Sequence, residues 1–201
     1  MERMGNPALA PEERFTYRHY RTWPDEERWE LIDGQAWAMS PAPATRHQRL
    51  SRKLFNQIVN LLEGRPCEAF DAPFDVLLPK GDEIDDQVDS VVQPDIVVFC
   101  DKSKVHEHGA RGAPDLIIEI LSPSTSRKDL NEKFRLYERH GVREYWVVDP
   151  GNKAVQVWRI KETGGFDEGD LRELLRDPSP ISSRALEGFA VDPKELFADL
   201  D

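Results

Sequence analysis

The sequence predicts a single α/β (α+β) domain, a mixed β-sheet flanked by helices and preceded by an N-terminal hairpin. Three observations point there. A length of 201 residues suits one domain with a sizeable core. The apolar runs Val91 to Cys100 and Asp115 to Leu121 have the length and β-branched content of strands. Elsewhere apolar residues recur at helical spacing, most clearly Leu50, Leu54, Ile58, Leu61 and Leu62.

Taken in order, residues 1–14 read as a disordered lead, and 15–201 as the folded domain. Met1 to Glu13 lacks the basic start and apolar stretch of a signal peptide. Phe15 to Tyr20 predicts a short helix with Thr16 as a cap. Arg28 to Met39 predicts two strands around the hairpin signal Asp33-Gly34. Ser40 to Thr45 is a Pro-rich turn whose Thr45 can cap a helix over Arg46 to Glu63, with Gly64 as the stop and Pro66 beyond it. Phe74 to Leu78 is a strand, Lys80 to Asp89 an acidic loop, and Val91 to Cys100 a strand returning antiparallel. Asp101 to Gly112 is a polar connection to a third core strand, Asp115 to Leu121. Ser122 to Thr125 turns the chain into a helix from about Ser126 to His140, stopped by Gly141. Glu144 to Val148 is a further strand ended by Asp149-Pro150-Gly151, and Ala154 to Ile160 an edge strand. The remainder is polar, with a strand near Leu171 to Leu175 and a closing segment at Pro193 to Leu200.

Composition excludes several classes. No apolar run approaches the roughly 18 residues a membrane span needs. Cys67 and Cys100 are too few for a disulfide framework and, without an export signal, read as reduced thiols of a cytoplasmic protein. A net charge of -11 argues against non-specific polyanion binding, which needs Lys and Arg on phosphates. It does not exclude a nucleic-acid substrate, because charge is local and a bound cation changes the field of a carboxylate site.

The chemistry lies in two carboxylates set inside apolar strands: Asp95 in Gln93-Pro94-Asp95-Ile96-Val97-Val98-Phe99, and Glu119 in Pro114-Asp115-Leu116-Ile117-Ile118-Glu119-Ile120-Leu121. A buried charge costs several kcal/mol unless paired, so two on neighbouring strands imply a shared partner. Hard oxygen ligands suit Mg²⁺ or Mn²⁺, which need only one or two protein carboxylates and can activate water against a phosphate. On the following helix Asp129, Lys133 and Tyr137 fall at i, i+4 and i+8, on one face. Each residue also has a plainer reading. Asp95 could cap a turn after Pro94, Glu119 could form a structural ion pair with Lys133, and Lys133 could be a surface partner of Asp129. His47 could be a polar helix-start residue, and Asp115, at a strand mouth, is expected to be exposed. Cys100, His106 and His108 lack zinc spacing, and the acidic loop lacks the glycine and terminal glutamate of a calcium loop. There is no Gly-rich phosphate loop and no serine nucleophile elbow.

Asp95 after Pro94 followed by Glu119 on the next strand resembles the PD-(D/E)XK nuclease superfamily. A longer pattern carries a more specific likeness. It runs through Trp29-Glu30-Leu31-Ile32-Asp33-Gly34, His47, Gln93-Pro94-Asp95 and Glu119-Ile120-Leu121-Ser122-Pro123-Ser124-Thr125. It continues with Asp129, Lys133, Tyr137 and Gly141-Val142-Arg143-Glu144-Tyr145-Trp146. Over about residues 15 to 195 the chain resembles the Uma-two family of bacterial restriction-endonuclease-like proteins. The resemblance implies a restriction-endonuclease-like fold and metal-dependent hydrolysis of DNA phosphodiester bonds. It implies Asp95, Glu119 and Glu30 as ligands of Mg²⁺ or Mn²⁺, with His47 pointing at the same cleft. The superfamily's usual lysine position, two residues after the acidic one, is Leu121 here; the resemblance implies that Lys133 replaces it from the helix. Lys128 is the rival, expected to face solvent. A homodimer is a further expectation, since many nucleases of this fold cut duplexes as dimers. The alternative is a catalytically inactive nuclease-fold module that binds DNA or a protein partner.

Overall fold

The computed structural model describes residues 14–24, 27–39, 44–123, 125–198 and 200. The expected disordered lead, apart from residue 14, and the linker at Ser40 to Pro43 lie outside them. The chain runs through α1 (Tyr17–Tyr20), β1 (Trp29–Ile32), β2 (Gln35–Ala38), α2 (Thr45–Leu62), β3 (Glu68–Asp71) and β4 (Val76–Leu77). Then come β5 (Val91–Val92), β6 (Ile96–Phe99), β7 (Val105–His106), β8 (Gly109–Arg111) and β9 (Leu116–Ile120). Next, α3 (Ser126–Lys128) passes through a π-helical turn, Asp129–Lys133, into α4 (Phe134–His140). Last are β10 (Glu144–Asp149), β11 (Ala154–Arg159), β12 (Asp170–Glu173), β13 (Ile181–Ser182), β14 (Ala190–Val191) and α5 (Pro193–Leu196).

The α+β class holds, but the strands divide between two six-stranded sheets instead of one. The first has the order β2-β1-β5-β4-β8-β7, the second β12-β11-β10-β9-β6-β3, and β13-β14 form a small pair. The division falls inside the run expected to be one strand, Val91 to Cys100. Val91–Val92 pairs in the first sheet, Ile96–Phe99 in the second, and Gln93-Pro94-Asp95 crosses between them. Pro94 has no N–H for a ladder, so the strand breaks there and changes sheet.

Other departures have equally local causes. Glu68–Asp71 is a strand the sequence pattern does not reveal, formed by pairing with β6. The polar connection Asp101 to Gly112 holds the hairpin β7-β8. β11 is not an edge, because β12 pairs along its outer side. The α2 cap position is Ala44, with Thr45 already helical. Cys67 and Cys100, expected as reduced thiols, are joined in a disulfide. They flank the β3-β6 ladder, where Glu68 faces Phe99, so the register sets the two cysteines opposite one another.

The second sheet is covered on both faces, which is why its strands β6 and β9 are apolar except for Glu119. Ile118, Ile120, Trp146 and Val148 pack with Leu50, Leu54 and Ile58 of α2. Ile117, Tyr145 and Val147 pack the other way with Leu136 and Tyr137 of α4, in a cluster that also takes Ile32, Val76 and Val92 from the first sheet. Side chains alternate along a strand, so Glu119 shares the parity of Ile117, and Glu30 that of Ile32. One carboxylate from each sheet therefore points into the cluster the two sheets share.

This arrangement separates the two sides of α2. Leu54→Ala, fully buried, is expected to cost roughly 2–5 kcal/mol in urea unfolding. Arg52→Ala, on the exposed side, is expected to change stability by less than about 0.5 kcal/mol. Equal losses would mean that α2 is not seated on the sheet as described.

Candidate active site

Glu30 is fully buried on β1, and every oxygen it has is engaged. Oε1 accepts from the Gln93 N–H at 2.9 Å and lies 2.8 Å from Lys133 Nζ, while Oε2 accepts from Lys128 Nζ at 2.5 Å. Glu119, on β9, accepts at Oε1 from Lys133 Nζ and from the Tyr137 hydroxyl, both at 2.8 Å. Lys133 also lies 3.7 Å from Asp129 Oδ1. The Tyr145 hydroxyl donates to the Asp129 backbone carbonyl at 3.0 Å. Lys128, expected to face solvent, is instead buried against Glu30. Both lysines come from the segment at the π-helical turn; such turns are frequent at functional sites.

Asp95 sits in the crossover just before β6. In the β6-β9 ladder Ile96 faces Ile118, so the next step of the register brings Asp95 opposite Glu119. Asp95 Oδ2 accepts from the Ile120 N–H at 2.7 Å and lies 3.1 Å from His47 Nε2. His47 opens α2 beside the linker, and its Nδ1 is buried with no hydrogen-bond partner among the described residues. These two side chains are the most open of the group, 21% and 13% exposed for Asp95 and His47. The structure thus brings together all five predicted residues, Asp95, Glu119, Lys133, Glu30 and His47.

Three members were not singled out as site residues from sequence: Asp129, Lys128 and Tyr137. The helical spacing of Asp129, Lys133 and Tyr137 was the available signal for two of them. Lys128, read as the solvent-facing rival of Lys133, precedes the π-helical turn, whose period a 3.6-residue pattern does not encode. One other expectation fails. Asp115, expected to be exposed, is half-buried, accepting from the Cys100 N–H at 2.7 Å and from Arg143 at 2.8 Å.

Charge does not balance in the interior. Glu30, Glu119 and Asp129 face Lys128 and Lys133, so one buried carboxylate lacks a countercharge. Burial opposes ionisation of Glu30, but the two ammoniums overcome it and hold its pKa at about 2. Burial dominates at Glu119, and Lys133 does not offset it against Asp129, Asp95 and Glu30, so its pKa rises to about 8. Asp129 is raised by burial as well. Burial also disfavours the Lys133 ammonium, yet the three surrounding carboxylates push its pKa well above the usual lysine range. His47 is raised: burial opposes this, but the hydrogen bond and charge of Asp95 prevail.

Among the described residues no three His, Cys, Asp or Glu side chains converge on one point as ready metal ligands. The donor chemistry nonetheless fits a hard divalent cation. The interior carries a surplus carboxylate, and Asp95 and Glu119 meet across adjacent strands. Such cations keep several waters and need few protein oxygens.

The arrangement has known counterparts. A crystal structure of a putative nuclease belonging to DUF820 from Anabaena variabilis superposes with a TM-score of 0.73, at 22% identity, over 92% of this chain and 99% of that one. The two chains share one architecture. The model of the Uma2 family, described as "Putative restriction endonuclease", matches residues 17–194, and the chain belongs to that family. It is also 28% identical over 192 residues to "Uncharacterized protein slr1290" of Synechocystis, covering 92% of this chain and 90% of that protein. Among the described residues no helix is long and apolar enough to cross a membrane.

The raised Glu119 pKa fixes a pH dependence. Between its ordinary value of 4.5 and about 8 the folded protein keeps a proton that the unfolded chain has released, so this group lowers stability as pH rises. Glu119→Gln is expected to flatten the fall in Tm from about pH 5 to about pH 8 relative to wild type. Parallel Tm profiles for the two proteins would show that Glu119 is ionised throughout.

Proposed function

We propose that this protein is a metal-dependent endonuclease that hydrolyses DNA phosphodiester bonds. Asp95 and Glu119 would hold the cation, Mg²⁺ or Mn²⁺, and Lys133 would act as the charge stabiliser. The observation that carries the reading is the position of the Lys133 ammonium, 2.8 Å from both Glu30 and Glu119, with Asp95 beside Glu119 on the adjoining strand. It is the acid, acid and amine set of a PD-(D/E)XK site, with the amine supplied by the helix where Leu121 occupies the usual strand position. Family membership and the nuclease-like fold support a nuclease in general terms.

A divalent cation at these carboxylates supplies Lewis acidity toward the scissile phosphate and lowers the pKa of water. The chain's own groups have distinct tasks. The Ile120 N–H and His47 fix Asp95 through Oδ2. Glu30, all of whose oxygens are taken, is a positioning residue that seats Lys128 and Lys133 instead of joining the ligands. Lys133 places a permanent positive charge where a pentavalent phosphorus would gather negative charge. Against the effect of burial, the hydrogen bond and charge of Asp95 raise the pKa of His47, which stands at the edge of the opening.

A labelled DNA cleavage assay with Mg²⁺ or Mn²⁺ tests the reading. Asp95→Asn, at a partly exposed position, is expected to lower cleavage by about 10²-fold or more without unfolding the protein. Unchanged cleavage would assign the activity to another site or a contaminant. A second reading, an inactive nuclease-fold module, draws on Leu121 and on the lysines that already hydrogen-bond Glu30 and Glu119. Calorimetric titration with Mg²⁺ separates the two: heat lost in Asp95→Asn favours the hydrolase, and no heat in wild type favours the module.

A further inference from the structure

Beside Asp95 and His47 lies an open groove of about 450 Å³, walled by Arg28 from the approach to β1, by Gln48, Ser51, Arg52, Phe55 and Asn56 from α2, and by Asp71 and Ala72 at the end of β3. Its setting is unusual for this chain. The net charge is -11, yet α2 carries Arg46, Arg49, Arg52 and Lys53 and not one carboxylate between Thr45 and Leu62. Lys53 has a structural task, donating to the carbonyls of Glu195, Leu196 and Ala198. Arg28 and Arg52 are exposed at the groove. Arg28 is steered there by Gln93, whose Oε1 accepts from its Nε and Nη2 at 3.1 and 2.7 Å. The same Gln93 gives its backbone N–H to Glu30, so the groove wall and the buried cluster share a support.

We infer that this groove binds the sugar-phosphate backbone of a single nucleic-acid strand next to the bond to be cut. Arg28 and Arg52 neutralise successive phosphates, and Phe55 offers a ring face to a base. The inference rests on the hydrolase reading for its direction, since the groove leads to Asp95 and His47, but not for its chemistry. The two exposed guanidiniums stand on the α2 and β1 side of the groove, facing Asp71 and Asp95, with Gln48, Ser51, Asn56 and the half-buried ring of Phe55 beside them. Guanidiniums along a backbone and a ring that tolerates any base are what single-strand binding uses. The acidic charge elsewhere on the chain acts weakly here, because interactions beyond a Debye length of roughly 8 Å are screened at physiological salt.

Fluorescence anisotropy with a short fluorescein-labelled single-stranded DNA of mixed sequence, in EDTA so that nothing is cut, tests this. Wild type is expected to bind, with affinity falling steeply between about 50 and 200 mM salt. Arg52→Glu is expected to weaken binding at least tenfold, and Arg52→Ala to reduce the slope of log K against log salt by about 0.7. Arg176→Glu, on a remote turn where the side chain is 82% exposed, serves as the control and is expected to change neither. Equal affinity in Arg52→Glu and wild type overturns the groove, as does tenfold tighter binding of a duplex of the same sequence. Displacement by a polyglutamate peptide as effective as unlabelled DNA would make it a general acidic-peptide site and overturn it too. Binding that Arg52→Glu abolishes, with no cleavage by wild type under any cation, keeps the groove and removes the hydrolase reading. Cleavage and binding both unchanged in Arg52→Glu remove the groove and leave the hydrolase.

Discussion

One ammonium joins the two sheets. Lys133 Nζ lies 2.8 Å from Glu30 on the first sheet and 2.8 Å from Glu119 on the second, inside the cluster where the sheets meet. Breaking a buried ion pair by removing one partner typically costs about 3–5 kcal/mol, because the remaining charge is left without compensation. The packing of Leu136 and Tyr137, the direction of the π-helical turn and the seating of Lys128 all fit this single geometric demand. An apolar side chain at residue 133 would fill space but leave two acids facing each other across the sheet boundary.

That demand explains why the cluster is more than a staple. Three interior carboxylates and two ammoniums leave a deficit of positive charge, and Glu119 resolves it by keeping a proton. On the proposed reading, cation binding at Glu119 would be coupled to pH, since a ligand must lose its proton to bind. The outer pair, Asp95 and His47, is more open and also lines the groove along α2.

Much of the fold was legible. The hydrophobic repeat of α2, the Asp33-Gly34 hairpin, the Gly141 stop and the apolar run of β9 each follow from local rules, and each appears within a residue or two. β3 was not legible, because Glu68-Ala69-Phe70-Asp71 has no strand signature until β6 lies beside it. For the site, residue types in apolar strands name Asp95 and Glu119, helical spacing permits Lys133, and Glu30 and His47 follow only from the family resemblance. Tyr137 was visible only as a helical spacing. Lys128 was misjudged; the turn that follows it is wound to a different period.

The sequence alone determined the chemistry available: carboxylates placed in strands too apolar to tolerate them, a lysine-bearing helix after the second, and a helix of arginines before the first. These are local facts, written in residue type and periodicity. Tertiary structure decided which of these groups meet. Pro94 sends one run into two sheets, and the β6-β9 register sets Asp95 opposite Glu119. The β3-β6 ladder likewise places Cys67 against Cys100. Pairing across distant segments has no signature within either segment, because it depends on how the whole chain buries its apolar faces at once.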